Sequence, residues 1–209
     1  MNQIVRLLLI IIGVSILSKF LLEGFDDISC QCTSDAPSST TPTVTQNAVV
    51  SAISTGSAHP LFDPGSYTIS SVENPNLQVS AWGGASQGAS VKLNGAQKPI
   101  PRNHLWTFQM TPEGHYSIAS VQNIHLYLNA WGGATQGASV NLNGPMNPPP
   151  GNQLWTIQRT PEGHYTIASV QNPQLYLNAW GGATQGASIK LNRPIIPPPG
   201  NQSWLIQKI

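Results

Sequence analysis

The chain has 209 residues, of which only 8% are charged, and its formal net charge is +1. This length allows one or two domains, and so few basic residues give no surface that could follow a phosphate backbone, which argues against a nucleic-acid partner. The two cysteines, Cys30 and Cys32, are too close for an unstrained disulfide. Free thiols or links between chains therefore remain open.

The amino-terminal segment is apolar, but its uncharged stretch is short. Residues 7–18 would form about 18 Å of helix, against a hydrocarbon core of about 30 Å. Since Arg6 and Lys19 could reach opposite interfaces, we expect residues 1–29 to contain an uncleaved hydrophobic anchor helix, with a cleaved signal peptide as the alternative. Basic Arg6 precedes the apolar run and acidic residues follow it, which predicts a cytoplasmic amino terminus and an extracellular or lumenal carboxy-terminal domain, either membrane-anchored or secreted.

The segment 30–62 is rich in Ser, Thr, Pro and Ala and shows no helical or strand periodicity. Such a composition cannot bury enough apolar surface to offset the entropy of ordering it. We interpret it as a disordered linker that holds the following domain away from the membrane.

Three similar segments follow, starting at Gly65, Gly114 and Gly163, with a period of 49 residues. A fixed period of this length predicts three equivalent structural units, which we place at 65–113, 114–162 and 163–209 and refer to as lobes 1, 2 and 3. Two tryptophans recur in each lobe, at 82, 131 and 180 and at 106, 155 and 204.

Within each lobe, apolar and polar residues alternate with period two, and turn sequences such as TPEG, WGGA and PPPG separate the runs. No stretch from residue 65 onwards favours a helix. Four short strands per lobe give about twelve strands, which predicts an all-β domain closed into a barrel.

The end of each lobe resembles a known signature. The sequences NQLW at 152–155, NQSW at 201–204 and the degenerate NHLW at 103–106 resemble the Q-x-W motif of ricin B-chain type lectins. Together with the LYLNA and VNLN or IKLN runs, each unit is similar to one lobe of that family's β-trefoil. The resemblance implies a β-trefoil at 63–209, a non-catalytic function in carbohydrate binding, up to one shallow site per lobe, and burial of the Q-x-W tryptophans Trp106, Trp155 and Trp204.

The resemblance also implies positions for the sugar-binding residues, and this chain departs from the family at two of them. The family uses a carboxylate on the second strand and an aromatic platform at the end of the third strand. An amide can still accept and donate hydrogen bonds, but more weakly than a charged group. The matching residues here are Ser80, Asn129 and Asn178 for the carboxylate, and Asn94, Asn143 and Asn192 for the aromatic platform.

Two other family positions are retained in lobes 2 and 3. The sugar-contacting asparagine corresponds to Asn103, Asn152 and Asn201, and the neighbouring glutamine to Gln153 and Gln202. In lobe 1 the glutamine is replaced by His104. We therefore expect lobe 1 to be the weakest site.

The strand period suggests a substitute for the missing platform. If the LYLNA run is a strand, Asn129 and Trp131 lie on its outward face, and a sugar could stack on the indole while its hydroxyls meet the amide. The alternative is that the tryptophan folds over the turn that follows it and closes the end of the barrel.

These arguments define two candidate sites for glycans or glycoproteins, with lobe 2 the more complete. The candidate residues are Asn129, Trp131, Asn141, Asn152 and Gln153 in lobe 2, and Asn178, Trp180, Lys190, Asn201 and Gln202 in lobe 3.

The sequence gives no support for catalysis, a metal or a cofactor. Glu113 and Glu162 occupy equivalent turns of different lobes, so they cannot form the close carboxylate pair of a glycosidase, and the histidines show no metal-ligand spacing. The predicted function is non-catalytic glycan binding for surface adhesion or recognition. The alternatives are a structural or protein-interaction trefoil that has lost sugar binding, and a protease inhibitor acting through loops such as 148–151.

Overall fold

The computed structural model describes residues 59–209, which form an all-β domain with almost no helix. Two three-residue 3-10 helices, Arg102–His104 and Gly151–Gln153, are its only helical elements. The strands are β1 (Tyr67–Ser71), β2 (Leu77–Ala81), β3 (Val91–Gly95), β4 (Trp106–Met110), β5 (Tyr116–Ser120), β6 (Tyr127–Ala130), β7 (Val140–Asn143), β8 (Trp155–Arg159), β9 (Tyr165–Ser169), β10 (Tyr176–Ala179), β11 (Ile189–Asn192) and β12 (Trp204–Lys208).

Six of these strands form a closed antiparallel barrel. Following the pairings around the ring, β1 pairs with β4, β4 with β5, β5 with β8, β8 with β9, β9 with β12, and β12 with β1. The other six strands form the hairpins β2–β3, β6–β7 and β10–β11. A six-stranded barrel with three added hairpins is a β-trefoil, as predicted.

The core lies where the alternating apolar side chains of barrel and hairpins meet. The Q-x-W tryptophans Trp106, Trp155 and Trp204 are completely buried. The indole Nε1 of Trp106 donates to the carbonyl of Val79 at 2.9 Å, and that of Trp155 to the carbonyl of Leu128 at 3.3 Å. These residues therefore join the fourth strand of a lobe to its own hairpin, and the prediction that they belong to the core is confirmed.

The three hairpins are joined to one another by backbone hydrogen bonds. The amide of Leu93 in lobe 1 donates to Ala187 of lobe 3 at 2.8 Å, and Leu142 of lobe 2 donates to Ala89 of lobe 1 at 2.9 Å. The amide of Leu191 closes the ring by donating to Ala138 of lobe 2 at 2.9 Å. The three hairpins together form what we call the cap of the barrel. Since the third strand of each hairpin is hydrogen-bonded to the loop of the lobe before it, the cap forms only when all three lobes are present.

Phe62 closes the opposite end of the barrel, where β1, β5 and β9 begin. Its ring stacks on Phe108 at a centroid distance of 4.3 Å and contacts Tyr67, Tyr116 and Tyr165 at 5.5 Å each. The sequence assigned Phe62 to the linker because Ser, Thr and Pro dominate the residues before it. In the structure it is buried and contacts all three lobes.

The predicted anchor at 1–29 and most of the linker lie outside the described residues. Within residues 59–209, no helix is long and apolar enough to cross a membrane.

We expect Phe62→Ala to lower the free energy of unfolding by about 3–5 kcal/mol, because it empties the aromatic cluster at the end of the barrel. All six tryptophans lie between residues 82 and 204, so tryptophan fluorescence during urea unfolding reports on this domain alone. Leu61→Ala is the matched control, since that side chain is exposed. Equal losses in the two variants would contradict a role for Phe62 in closing the barrel.

Candidate functional site

The carboxylate position of the family is buried in this protein. Asn129 is 1% exposed and Asn178 2%, because the segment that leads into the Q-x-W tryptophan covers the second strand of each lobe. In lobe 1, Asn103 Nδ2 donates to Ser80 Oγ at 3.1 Å and to the Ala81 carbonyl at 3.0 Å. The expectation that Asn129 meets solvent beside Trp131 is therefore wrong. Its side chain leaves the strand on the outward face but lies beneath the 3-10 helix at 151–153.

The retained asparagines and glutamines hold this covering segment in place. Asn152 and Asn201 are half-buried, and their amides donate to the carbonyls of Ala130 at 3.3 Å and Ala179 at 3.4 Å. Gln153 is buried and donates to the Gly144 carbonyl at 2.8 Å. The buried Gln202 makes the equivalent bond to the Arg193 carbonyl at 2.8 Å. Only the asparagines of this set reach the surface.

The family's platform position is also occupied by structural contacts. Asn94 Oδ1 accepts from Gln185 Nε2 at 2.6 Å, so that lobe 3 is joined to lobe 1. Asn143 and Asn192 accept in the same way from the loop glutamines of the preceding lobes. A conventional sugar platform is absent at these three positions, and the amides there connect the lobes instead.

His104 occupies in lobe 1 the position of the Q-x-W glutamines Gln153 and Gln202, and it is fully buried. Its Nδ1 lies 3.0 Å from Gln78 Oε1, and its Nε2 lies 3.3 Å from Asn94 Nδ2. The Asn94 oxygen already accepts two bonds, so the amide is held with its NH₂ towards the ring. We assign the neutral tautomer with the proton on Nδ1 from these partners. Burial lowers the pKa of His104, in agreement with a neutral ring.

The first tryptophan of each lobe, which follows the second strand, is exposed. Trp82, Trp131 and Trp180 have exposed fractions of 39%, 46% and 42%. A methyl group added to Gly88 of lobe 1 would lie 3.8 Å from the Cη2 atom of Trp131, so the tip of the indole rests on the loop of the preceding lobe.

The same arrangement recurs around the cap. A methyl group added to Gly137 would lie 3.9 Å from Cη2 of Trp180, and one added to Gly186 would lie 3.7 Å from Cη2 of Trp82. Gly88, with φ of +79°, adopts a conformation that glycine accepts without strain. Each tryptophan is therefore held in place yet keeps much of its surface open to solvent.

A polar side chain of the third strand lies beside each of these tryptophans. The strand register pairs Ser80 with Lys92, Asn129 with Asn141, and Asn178 with Lys190, which places the third-strand residue on the same face of the hairpin as the tryptophan. We call the surface formed by Trp82, Trp131, Trp180, Lys92, Asn141 and Lys190 the tryptophan face.

The turn after each tryptophan is fixed by the next lobe. The amide of Ala134, in the turn after Trp131, donates to Gln171 Oε1 at 2.7 Å. In the other two turns, Ala85 donates to Gln122 Oε1 at 2.7 Å and Ala183 to Glu73 Oε2 at 3.0 Å. Sequence reasoning missed these bracing residues, although their recurrence at the same place in every repeat was a signal.

A separate pocket of about 290 Å³ lies between the end of β4 and the loop after β7. Its lining includes Met110, Tyr127, Met146 and Pro149, together with the buried Gln153. The pocket is mainly apolar, and none of the other predicted site residues lines it.

Residues 102–192 match the family described as ricin-type beta-trefoil lectin domain-like. The matched segment covers the end of lobe 1, all of lobe 2 and most of lobe 3. The family resemblance predicted from the Q-x-W motifs is confirmed, and a search of the curated proteins finds no significant match.

Solved structures similar to this β-trefoil share its fold at low sequence identity. A mosquitocidal holotoxin is 18% identical with a TM-score of 0.63, and the alignment covers 71% of this chain but only 18% of the toxin. The Macrolepiota procera ricin B-like lectin, solved with lactose, is 20% identical with a TM-score of 0.58, and the alignment covers 72% of this chain and all of the lectin. An endo-β-galactosidase from Clostridium perfringens is 10% identical with a TM-score of 0.56, covering 69% of this chain and 32% of the enzyme.

We expect acid to destabilise the domain through His104. Because the pKa of the folded ring is lower than that of an unfolded histidine, near 6.5, the unfolded chain takes up this proton first. Stability is thus complete above about pH 6.5 and falls as the pH drops towards the folded pKa, by at most about 1.4 kcal/mol per pH unit for one proton.

The matched variant is His104→Gln, which installs the residue that lobes 2 and 3 carry at this position. Urea unfolding of both proteins between pH 7.5 and 5.0 should show a smaller loss of stability on acidification in the variant. Identical pH profiles would contradict the assignment.

Proposed function

We propose that this trefoil binds glycans without catalysis, through the tryptophan face. The observation that carries the proposal is that three indoles, 39–46% exposed, are held at equivalent places by packing on the neighbouring lobe. In a domain with so few charges, three fixed exposed tryptophans are the strongest candidates for a ligand-binding surface.

The chemistry of the face suits a sugar. The C–H face of a pyranose can stack on an indole, and such aromatic contacts contribute about 1 kcal/mol beyond the buried area. The adjoining Asn141 amide can donate and accept hydrogen bonds with hydroxyl groups. Its Nδ2 donates to the Gly88 carbonyl at 3.2 Å, which fixes the orientation of the amide, and the tip of the Trp131 indole approaches the same glycine.

The candidate residues of lobes 2 and 3 then have different roles. Trp131 and Trp180 would contact the sugar, with Asn141, Lys190 and the accessible edges of Asn152 and Asn201. The buried members support the contact residues from below. These buried members are Asn129, Gln153, Asn178 and Gln202.

Single sites of this kind are expected to be weak. If each binds with a dissociation constant near 1 mM, about −4 kcal/mol, useful affinity must come from several sites on one surface engaging a multivalent glycan. The three equivalent tryptophans on one cap provide such an arrangement.

Non-catalytic binding is supported by the placement of the acids, although one similar fold belongs to a glycosidase. Glu113 and Glu162 lie on the exposed turns β4–β5 and β8–β9 of different lobes. The pKa of each carboxyl lies below its usual value, mainly because the neighbouring side chains of Thr111 and Thr160 favour its charged form. A general acid in a glycosidase instead requires a raised pKa.

We also propose that the domain acts in surface adhesion or recognition, exported and tethered through the amino-terminal helix. The apolar run of residues 7–18, the charge asymmetry around it and the Ser/Thr/Pro-rich linker support this placement.

A protein-interaction trefoil that has lost sugar binding is the second candidate. It is favoured by the use of Asn94, Asn143 and Asn192 as connections between lobes at the position where the family has an aromatic platform.

We expect the triple variant Trp82→Ala/Trp131→Ala/Trp180→Ala to lose at least tenfold in avidity on a glycan array probed with the full chain, because the stacking surface is removed. Its urea unfolding should change little compared with a core substitution such as Trp155→Phe. Ile124→Ala is the control for an exposed apolar residue of lobe 2. Binding of wild-type protein to no glycan, with capture of a protein ligand instead, would favour the second candidate.

A further inference from the structure

The tryptophan face is not chemically equivalent in the three lobes. In lobe 1 the ammonium of Lys92 lies 5.1 Å from the ring centroid of Trp82, and in lobe 3 that of Lys190 lies 5.0 Å from Trp180. Lobe 2 carries the neutral Asn141 at the same register position. Two of the three indoles therefore have a positive charge beside them.

These two charges have no carboxylate partner in the described part of the chain. The ion pair found within residues 59–209 joins Lys208 to Asp63 at 3.8 Å. Lys92 and Lys190 are instead held against the indoles by cation–π attraction. An unpaired ammonium held over an exposed aromatic ring is available to an anionic ligand.

The lysines leave the indoles accessible. Trp82 and Trp180 remain 39% and 42% exposed, compared with 46% for Trp131, which has no lysine beside it. A sugar can therefore still contact the exposed part of each indole, and in lobes 1 and 3 a negatively charged substituent on that sugar would meet the ammonium that lies over the ring. Charge-assisted hydrogen bonds of this kind are about twice as strong as neutral ones.

We propose that the tryptophan face of lobes 1 and 3 binds acidic glycans, which carry carboxylate or sulfate groups, whereas lobe 2 binds neutral sugar. This inference rests on the proposed glycan binding and specifies its substrate class. The observation that carries it is the placement of Lys92 and Lys190 over exposed indoles, without an acidic partner.

The two proposed sites for acidic glycans differ in the charge of the residue that braces the turn after the tryptophan. In lobe 3 the turn after Trp180 is braced by the carboxylate of Glu73, whereas in lobe 1 the turn after Trp82 is braced by the neutral Gln122. The negative charge of Glu73 offsets part of the attraction in lobe 3. Lobe 1 is thus the strongest anion site on this face, although the family positions alone rank it weakest.

The test compares the full chain with two reciprocal variants, Lys92→Asn/Lys190→Asn and Asn141→Lys. Both use residues that the fold already accepts at the equivalent position of another lobe. The probes are immobilised hyaluronan, which carries carboxylate only, chondroitin sulfate, which carries both groups, and an uncharged galactose-based polymer.

We expect wild-type protein to bind at least one acidic polymer more tightly than the neutral one, with binding that weakens between 50 and 500 mM NaCl. The double variant should lose at least tenfold for the acidic polymer and clearly less for the neutral polymer, because the asparagines that replace the lysines still offer hydrogen bonds but carry no charge. Asn141→Lys should gain several-fold for the acidic polymer. Comparison of hyaluronan with chondroitin sulfate shows whether carboxylate suffices or sulfate is required.

The matched control is Lys98→Asn/Arg159→Asn, which removes the same charge from two exposed residues that do not lie over an indole. If it loses as much acidic binding as Lys92→Asn/Lys190→Asn, the attraction is a general charge effect and the inference is overturned. Equal binding of acidic and neutral polymers, unchanged in the double variant, also overturns it but leaves the proposed function standing. Binding to none of the three polymers, together with a blank glycan array, removes both.

Discussion

The arrangement on which the rest of the structure depends is the ring of hydrogen bonds between the lobes. The third strand of each lobe is hydrogen-bonded to the loop of the preceding lobe; for example, the amide of Leu142 donates to the carbonyl of Ala89. The turn after each exposed tryptophan is hydrogen-bonded to the next lobe; for example, the amide of Ala134 donates to Gln171 Oε1. Because buried backbone groups must find partners, a lobe could not satisfy its own hairpin in isolation. The barrel and its cap are therefore expected to form together.

The same ring explains why the family's binding position is altered here. At the platform position, Asn143 accepts a hydrogen bond from Gln87 of the preceding lobe, which an aromatic ring could not do. The amide connects two lobes at the place where the family stacks a sugar. Trp131, which follows the second strand of the same hairpin, instead approaches the loop of the preceding lobe at Gly88 and remains exposed. The structure thus moves the candidate surface from the conventional pocket to the tryptophan face.

Much of the fold could be predicted from the sequence, and the candidate site only in part. Strand periodicity and turn sequences predicted an all-β barrel, and the Q-x-W motifs predicted both the family and the burial of Trp155. The orientation of Asn129 away from the core was also implied, but not its burial, because the covering 3-10 helix lies more than twenty residues later in the chain. Phe62 was missed for a similar reason, since its aromatic partners come from all three lobes.

By itself the sequence determined the properties that depend on local pattern: strand positions, turns, core tryptophans and family. Only the tertiary structure decided which outward-facing residues reach solvent, which loops support which lobe, and where the two lysines lie relative to the indoles. The physical reason is that period-two alternation specifies on which side of a strand a residue lies, whereas accessibility and charge pairing depend on segments far away in the chain. Asn129 and Trp131 lie on the same side of one hairpin, yet one is buried and the other is exposed.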